Sequence, residues 1–200
     1  MENLSRTVLA AIRDSNAGIS TLDVLESLRL CDTFTLKTTL SRLGKAGKIL
    51  RLKRGVYATN PLKDAISAAQ ATFSGYIGFS SALYIHKLIA ESPFSITVVT
   101  TDKSASKAFG AYEFRAVALK ERAVGFESIG DLVVSTKAKT LFDCTYLERY
   151  SIEKEKIIEA YNANPMSTKE WKEFDSYVTR FINTGMRYKF DEIKKRITKS

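Results

Sequence analysis

The 200-residue chain has two cysteines, one histidine and no long apolar run, and each scarcity removes a class of function. Cys31 and Cys144 lie far apart and form no Cys-x-x-Cys pair. With His86 as the lone imidazole, a zinc site would need unusual carboxylate help, so no cofactor is expected. The same thiol poverty fits a reducing cytoplasm better than a disulfide-stapled fold. Nothing approaches 18 consecutive apolar residues, so no membrane span is expected. The opening MENLSRTVLAAIRDS shows neither the apolar stretch nor the cleavage site of a signal peptide. Internal repeats and low-complexity tracts are missing too.

What is present is a globular composition with a cationic bias. Apolar residues make up 44% of the chain, enough to exclude global disorder. Its length suits one large domain or two small ones. Lysine and arginine total 31 against 22 acidic residues, a formal charge of +9. Such an excess implies an anionic partner or surface but no particular fold. It is also uneven: residues 1–60 carry 10 basic and 5 acidic groups, the remainder 21 and 17.

Leu4, Val8 and Ile12, with Leu9 beside them, predict a first helix over residues 3–14. Asn16 and Gly18 end it, since both tolerate left-handed backbone. Ser20 is the expected N-cap of a second helix with Leu22, Leu25 and Leu28 inside. A short loop around Cys31 and Asp32 leads to a third helix, capped by Thr33 or Thr35 and packed through Leu36, Leu40 and Leu43. Gly44 and Gly47 break that helix. KILRL and GVYAT then alternate as strands about Lys53, Arg54 and Gly55. Three helices and a basic hairpin predict a winged helix-turn-helix over residues 1–60.

The stretch LSRLGKAGKILRLKRGVYAT, residues 40–59, is too charged for a core and too apolar for a solvated tail. From Lys37 to Arg54 there are seven basic residues and no acidic one. Apolar positions would pack helix and hairpin inward while the cations face a phosphate backbone. In a helix-turn-helix the second helix enters the major groove, led by its N-terminal residues. That nominates Thr35, Lys37, Thr38, Ser41 and Arg42. Lys45 and Lys48 would meet phosphates at the groove edge. Arg51, Lys53 and Arg54 belong to the wing, gripping the backbone or reaching the minor groove. The competing reading is a protein–protein surface with a solvated cationic face. Self-repulsion among seven cations without a carboxylate weighs against it.

TNPLKD (residues 59–64) reads as a linker stopped by Pro61. Residues 64–72 are alanine-rich and helical. A further helix starts at Phe79 or Ser80, with Leu83, Tyr84, Leu88 and Ile89 inside. FSITVVTT (residues 94–101) is a buried strand. YEFRAVALK alternates as a strand, as does SIGDLVVST more loosely. AKTLFDCTYLERY has helical spacing through Leu141, Thr145 or Tyr146, and Leu147. Helices follow over residues 152–161 and 171–182, then a cationic helix with Ile193 and Ile197. The expected class is α+β: the winged helix-turn-helix, a mixed α/β domain over residues 61–150, and a helical C-terminal extension over 151–200 packed on it.

The ordered stretches LSRLGKAGKILRLKRGVYAT, GYIGFSSALYIHKLI, ITVVTTDK and LVVSTKAKTLFDCTYL resemble the AbiEi-type antitoxins of type IV toxin–antitoxin systems. The matching positions are Gly55-Val56-Tyr57, Ser81-Ala82-Leu83 with His86, Thr97 to Thr101, and Lys139-Thr140-Leu141-Phe142-Asp143. They span roughly residues 5–150, and residues 151–200 match no motif. The resemblance implies a DNA-binding autorepressor, without catalysis of its own, that binds promoter inverted repeats through its winged helix. It also implies that the second domain counteracts a nucleotidyltransferase-like toxin. Two copies on the DNA are needed for an inverted repeat, and a monomer or weak dimer in solution satisfies that. The alternative is a ligand-responsive winged-helix regulator without a toxin, marked by an apolar pocket within residues 65–150.

Other candidates have bland readings beside them. His86 is a base or ligand, or more simply a satisfied packing residue. Gly75 and Gly78 faintly suggest a phosphate loop, but a turn before a helix fits better. Lys139 and Asp143 suit an i, i+4 ion pair or a helix cap. Asp102, Glu113 and Arg115 have the spacing of a metal-dependent nuclease, with arginine where lysine is wanted. The terminal EIKKRITKS is a solvated or frayed helix, or a second DNA contact.

Overall fold

In the computed structural model, which describes residues 2–198, helix α1 (Glu2–Asp14) turns Val8 and Ile12 into a core shared with Leu25, Leu36, Leu40, Leu43 and Ile49. The chain reverses after α1 through Ala17 and Gly18, both with left-handed φ. It enters a strand that sequence periodicity did not mark, β1 (Ile19–Thr21). Ser20 is therefore not the cap of α2 (Leu22–Ser27): it is buried in β1 opposite Tyr57. The cap is Thr21, which accepts from the Val24 amide at 3.2 Å. Of the expected inner face of α2, Leu25 is buried but Leu28 is half exposed.

Helix α3 (Thr33–Lys45) is capped by neither Thr33 nor Thr35 but by Asp32, just before its first residue. Asp32 accepts from the Thr35 amide at 3.0 Å and from the Thr35 hydroxyl at 2.6 Å. A carboxylate is a strong N-cap and also faces the positive end of the helix. After α3 come β2 (Ile49–Lys53) and β3 (Val56–Thr59), an antiparallel pair turning at Gly55, whose φ of 75° suits glycine. The three strands run β1-β3-β2, so β2 is an edge. The hairpin is tied down at both ends. The Leu22 amide donates to the Gly55 carbonyl at 2.7 Å, and Asn60 Nδ2 donates to the Gly47 carbonyl at 2.8 Å. Helix α4 (Ala65–Thr72), capped by Asp64, packs on β2 and β3. The first compact unit consequently extends to Phe73, with Ala108–Tyr112, and not to the expected boundary at residue 60.

The second unit is built on a six-stranded mixed sheet and five helices. Its elements are β4 (Tyr76–Ile77), α5 (Phe79–Ile85), β5 (Ser95–Thr100), β6 (Ala105–Phe109), β7 (Tyr112–Ala118), β8 (Phe126–Ile129), β9 (Leu132–Ser135), α6 (Lys137–Tyr146), α7 (Lys154–Ala163), α8 (Thr168–Phe181) and α9 (Thr184–Thr198). The strand order is β6-β7-β5-β4-β9-β8. SIGDLVVST, expected as one strand, is the hairpin β8–β9 turning at Gly130. Helix α5 stops at Ile85, short of Leu88 and Ile89, because Lys87 turns left-handed. Gly75 and Gly78 flank β4 for a steric reason. A Cβ at Gly75 would lie 1.9 Å from the Val99 carbonyl oxygen, and one at Gly78 2.6 Å from Val99 Cγ2. They belong to a turn pressed against β5.

Phe79, Leu83, Leu141, Phe142, Tyr161, Phe174 and Phe190 share one core, so α7, α8 and α9 belong to the second unit. Within that core lies the Lys139–Asp143 pair, one helical turn apart on α6 and wholly enclosed. Lys139 Nζ donates to Asp143 Oδ1 and sits 5.3 Å from the Phe142 ring centroid. Asp143 Oδ2 has no partner among the described residues. Burial raises the Asp143 carboxyl to about 6 against the pull of Lys139, and burial lowers the Lys139 ammonium. The expected i, i+4 ion pair is present, but inside the core instead of on a helix surface.

Two enclosed charges attract strongly but pay desolvation, so removing one costs more than removing both. Lys139→Met should destabilise the protein by about 3–5 kcal/mol in urea at pH 7.5. The double variant Lys139→Met with Asp143→Leu should recover most of that loss. The sign with pH follows from Asp143: a carboxyl raised by burial holds its proton more tightly folded than unfolded. Its favourable contribution is present at low pH and lost as pH rises through its folded pKa. The deficit of Lys139→Met should therefore shrink as the pH is lowered from 8 to 5. A deficit that is flat or grows on acidification would show that Asp143 is not charged and enclosed.

Candidate functional site

The sequence-nominated residues lie on two neighbouring elements of the first unit. The buried positions of α3 are Leu36, Thr39, Leu40 and Leu43, which commits the opposite face to solvent. Lys37, Ser41, Arg42 and Lys45 are exposed there, and Thr35 and Thr38 are half-buried. Lys48 is exposed just before β2, as are Arg51 on it and Arg54 at the turn, with Lys53 half-buried. A register shift between Arg51 and Lys53 marks a bulge in the ribbon. Extra twist and a re-aimed side chain are the usual results of a bulge.

An open groove of about 830 Å³ runs between helix and ribbon. Lys37, Ser41 and Lys45 line it from α3, and Arg51 and Arg54 from the hairpin. Lys37, Ser41 and Lys45 are four residues apart in succession, which puts them on one helical stripe. One acid enters this lining, Asp23 of α2, a residue outside the all-cationic run. The ion pairs seen among the described residues lie elsewhere, between Arg13 and Asp14 and in the second unit. None involves Lys37, Lys45, Lys48, Arg51, Lys53 or Arg54. Cations on a groove without carboxylate partners can hold a polyanion.

Two nominated hydroxyls are already engaged. Thr35 donates to Asp32, and Thr38 Oγ1 donates to the Phe34 carbonyl at 2.9 Å. Hydrogen bonding to Thr35, through the hydroxyl first and then the amide, holds the Asp32 carboxyl below its usual range. The structure adds one residue that charge counting passes over. Phe34, at the first turn of α3, is 80% exposed. The available signal was its position: seven residues before Ser41, it falls on the polar face of the helix where an apolar group has no packing role.

The remaining candidates separate. Glu113 faces Ser95 at one end of the parallel pair β5–β7, whereas Asp102 follows Thr100 at the other end. Seven residues along a strand span roughly 20 Å, too far for both carboxylates to hold one cation. Glu113 instead pairs with Arg115 at 2.6 Å. Among the described residues, no group of three metal-ligating side chains is suitably placed. His86 Nε2 donates to the Ser135 carbonyl at 2.7 Å, a packing role. The terminal cationic segment is helical through Thr198, and its Lys199 and Ser200 lie outside the described residues. Ile193 and Ile197 of α9 are buried, Lys194 pairs with Asp175, and Arg196 pairs with Glu155.

A second concavity, of about 620 Å³, lies in the second unit beside α6, α7 and α9. Cys144, Ile152, Ile157 and Ile193 contribute its apolar lining. The ion pairs Lys154–Glu192 and Lys189–Glu148 cross its rim. It falls mostly beyond residue 150, outside the segment where a sensor pocket was expected. No helix among the described residues is long and apolar enough to cross a membrane. The chain matches no protein-family model and no curated protein.

The cap geometry gives a direct test. Asp32→Ala should lower the melting temperature, whereas Asp32→Asn, which keeps an acceptor oxygen, should leave it near the parent value. Equal losses in circular-dichroism melts would mean that the charge, and not the cap bond, supports α3.

Proposed function

We propose that the first unit is a winged helix-turn-helix that binds double-stranded DNA, with α3 in the major groove and the β2–β3 ribbon as the wing. The observation that carries this reading is the groove lined by Lys37, Lys45, Arg51 and Arg54, with Arg42 and Lys48 exposed beside it. Phosphate contacts supply affinity and fix register, and base edges reached from α3 supply selectivity. A second copy held on an inverted repeat would add its half-site binding energy to that of the first, whether the protein is a monomer or a weak dimer before binding.

The antitoxin reading rests on the ordered motifs. On it, the protein is a cytoplasmic autorepressor of a type IV toxin–antitoxin operon, and the second unit counteracts a nucleotidyltransferase-like toxin without catalysis of its own. The KTLFD motif then has a structural meaning, since its lysine and aspartate form the enclosed pair of α6. The concavity beside α9 favours a second reading, a regulator whose second unit takes a small molecule. A neighbouring gene that is toxic alone and tolerated with this one would decide for the first.

Alanine at Arg42, Arg51 and Arg54 together should abolish binding to the upstream promoter while the circular-dichroism spectrum of the fold is kept. Single variants should each make the slope of log affinity against log salt shallower by about 0.9 for every phosphate that is no longer neutralised. A triple variant that binds like the parent in mobility-shift titrations would remove these arginines from the interface.

A further inference from the structure

Phe34 is the least buried large apolar side chain on the first unit, and its place is unusual. Helix α3 faces inward through Leu36, Thr39, Leu40 and Leu43. At 3.6 residues per turn, Phe34 lies nearly opposite that stripe and almost in line with Ser41 two turns later. It thus begins the same outward face that carries Lys37, Thr38, Ser41 and Lys45. A phenyl ring costs solubility on a surface of hydroxyls and cations, and it cannot contact phosphate favourably. It can contact one feature of a DNA major groove, the C5-methyl group of thymine. The N-terminal turn, where Phe34 sits, is also the part of a recognition helix that reaches base edges.

We infer that Phe34 is a base-reading residue that selects thymine through its C5-methyl group. This rests on the DNA-binding reading above and adds what the cations cannot supply, since phosphate contacts carry no sequence information. Seven residues of helix span about 10 Å, or about three base steps at ~3.4 Å. The selected thymine therefore lies about three base pairs from the bases facing Ser41. The hydroxyls of Thr35 and Thr38 are turned back into the helix, which leaves Phe34 and Lys37 as the outward-facing groups of the first two turns that can read a base.

The test uses the full chain and the duplex that it selects from a random-sequence library. Each thymine of that duplex is replaced singly by deoxyuridine, which removes only the methyl group. At one position per half-site, the parent should bind about 3- to 5-fold more weakly, the size expected for one buried methyl. Phe34→Ala should bind thymine and deoxyuridine equally there, while Phe34→Leu, still apolar, should keep part of the discrimination. A methyl penalty of the same size in parent and Phe34→Ala would overturn the assignment, as would a selected site without an invariant thymine. Loss of self-association in Phe34→Ala by sedimentation, with discrimination intact, would assign the ring to a contact between copies and also overturn it. If the parent selects no sequence and shows no salt-dependent attraction to duplex, the DNA-binding reading itself fails and this inference with it.

Discussion

Seven cations between Lys37 and Arg54 repel one another, and burial of the leucines behind them holds the surface together. Two unit charges about 10 Å apart in water repel by roughly 0.4 kcal/mol before salt screening. Each buried leucine of α3 contributes about 1.5–3 kcal/mol. Leu36, Leu40 and Leu43 therefore outweigh the neighbouring repulsions, and the fold tolerates the crowding. The Leu22–Gly55 and Asn60–Gly47 hydrogen bonds extend the same restraint to the ribbon. One simpler cause explains part of the charge. β2 is an edge strand, and lysine or arginine on an edge discourages pairing with other chains. That accounts for Arg51 and Lys53 but says nothing of Lys37, Arg42 and Lys45, which are on a helix.

Four cations of the second unit are placed differently. Lys154, Lys189, Lys194 and Arg196 each meet a carboxylate, and all four pairs are partly exposed. Such pairs contribute little to stability individually. What holds α9 is Phe190, Ile193 and Ile197 in the core, with the ion pairs fixing its rotation. Formal charge counted along the sequence treats these lysines and those of the first unit alike. Their surroundings separate them: these four meet carboxylates of the chain, whereas no ion pair is seen among the described residues at Lys37, Lys45 or Lys48.

Legibility followed the strength of the period. Helices α1, α3, α4 and α6 to α9 and strands β2, β3, β5 and β7 carry runs long enough for spacing to show. Strand β1 has three residues and β4 two, too few for any alternation, and they exist because partners across the sheet demand them. Caps were misread for a related reason. Ser20 and Asp32 are both good caps by residue type, and only tertiary context buries the first in a strand and leaves the second at a helix start. Seven of the ten nominated residues stand out in the sequence because charge of one sign marks itself, and Thr35, Thr38 and Ser41 are added by helical spacing. Phe34 does not stand out, because an apolar residue in a helical segment is ordinarily assigned to the core. The enclosure of Lys139 and Asp143 was equally hidden, since i, i+4 spacing is the same on a surface and in a core.

A cationic surface and a selective surface are different requirements, and on the proposed reading α3 and the ribbon meet them with sets of residues that share Lys37. Counterion release by Lys37, Lys45, Lys48, Arg51 and Arg54 would draw the protein to any duplex, with an affinity that falls steeply with salt. Discrimination among sequences has to come from groups whose interaction changes with the base. On the outward face of α3 those are few: Lys37, Ser41 and Arg42 among the polar side chains, and the exposed ring of Phe34. A single copy with so short a reading stripe would distinguish only a few base pairs. Selectivity high enough to find one promoter then requires two copies at fixed spacing, since the half-site energies add while the number of competing sites falls. On the proposed reading, the demand for paired sites comes from the shortness of that stripe, whether or not the protein is a dimer before it reaches DNA.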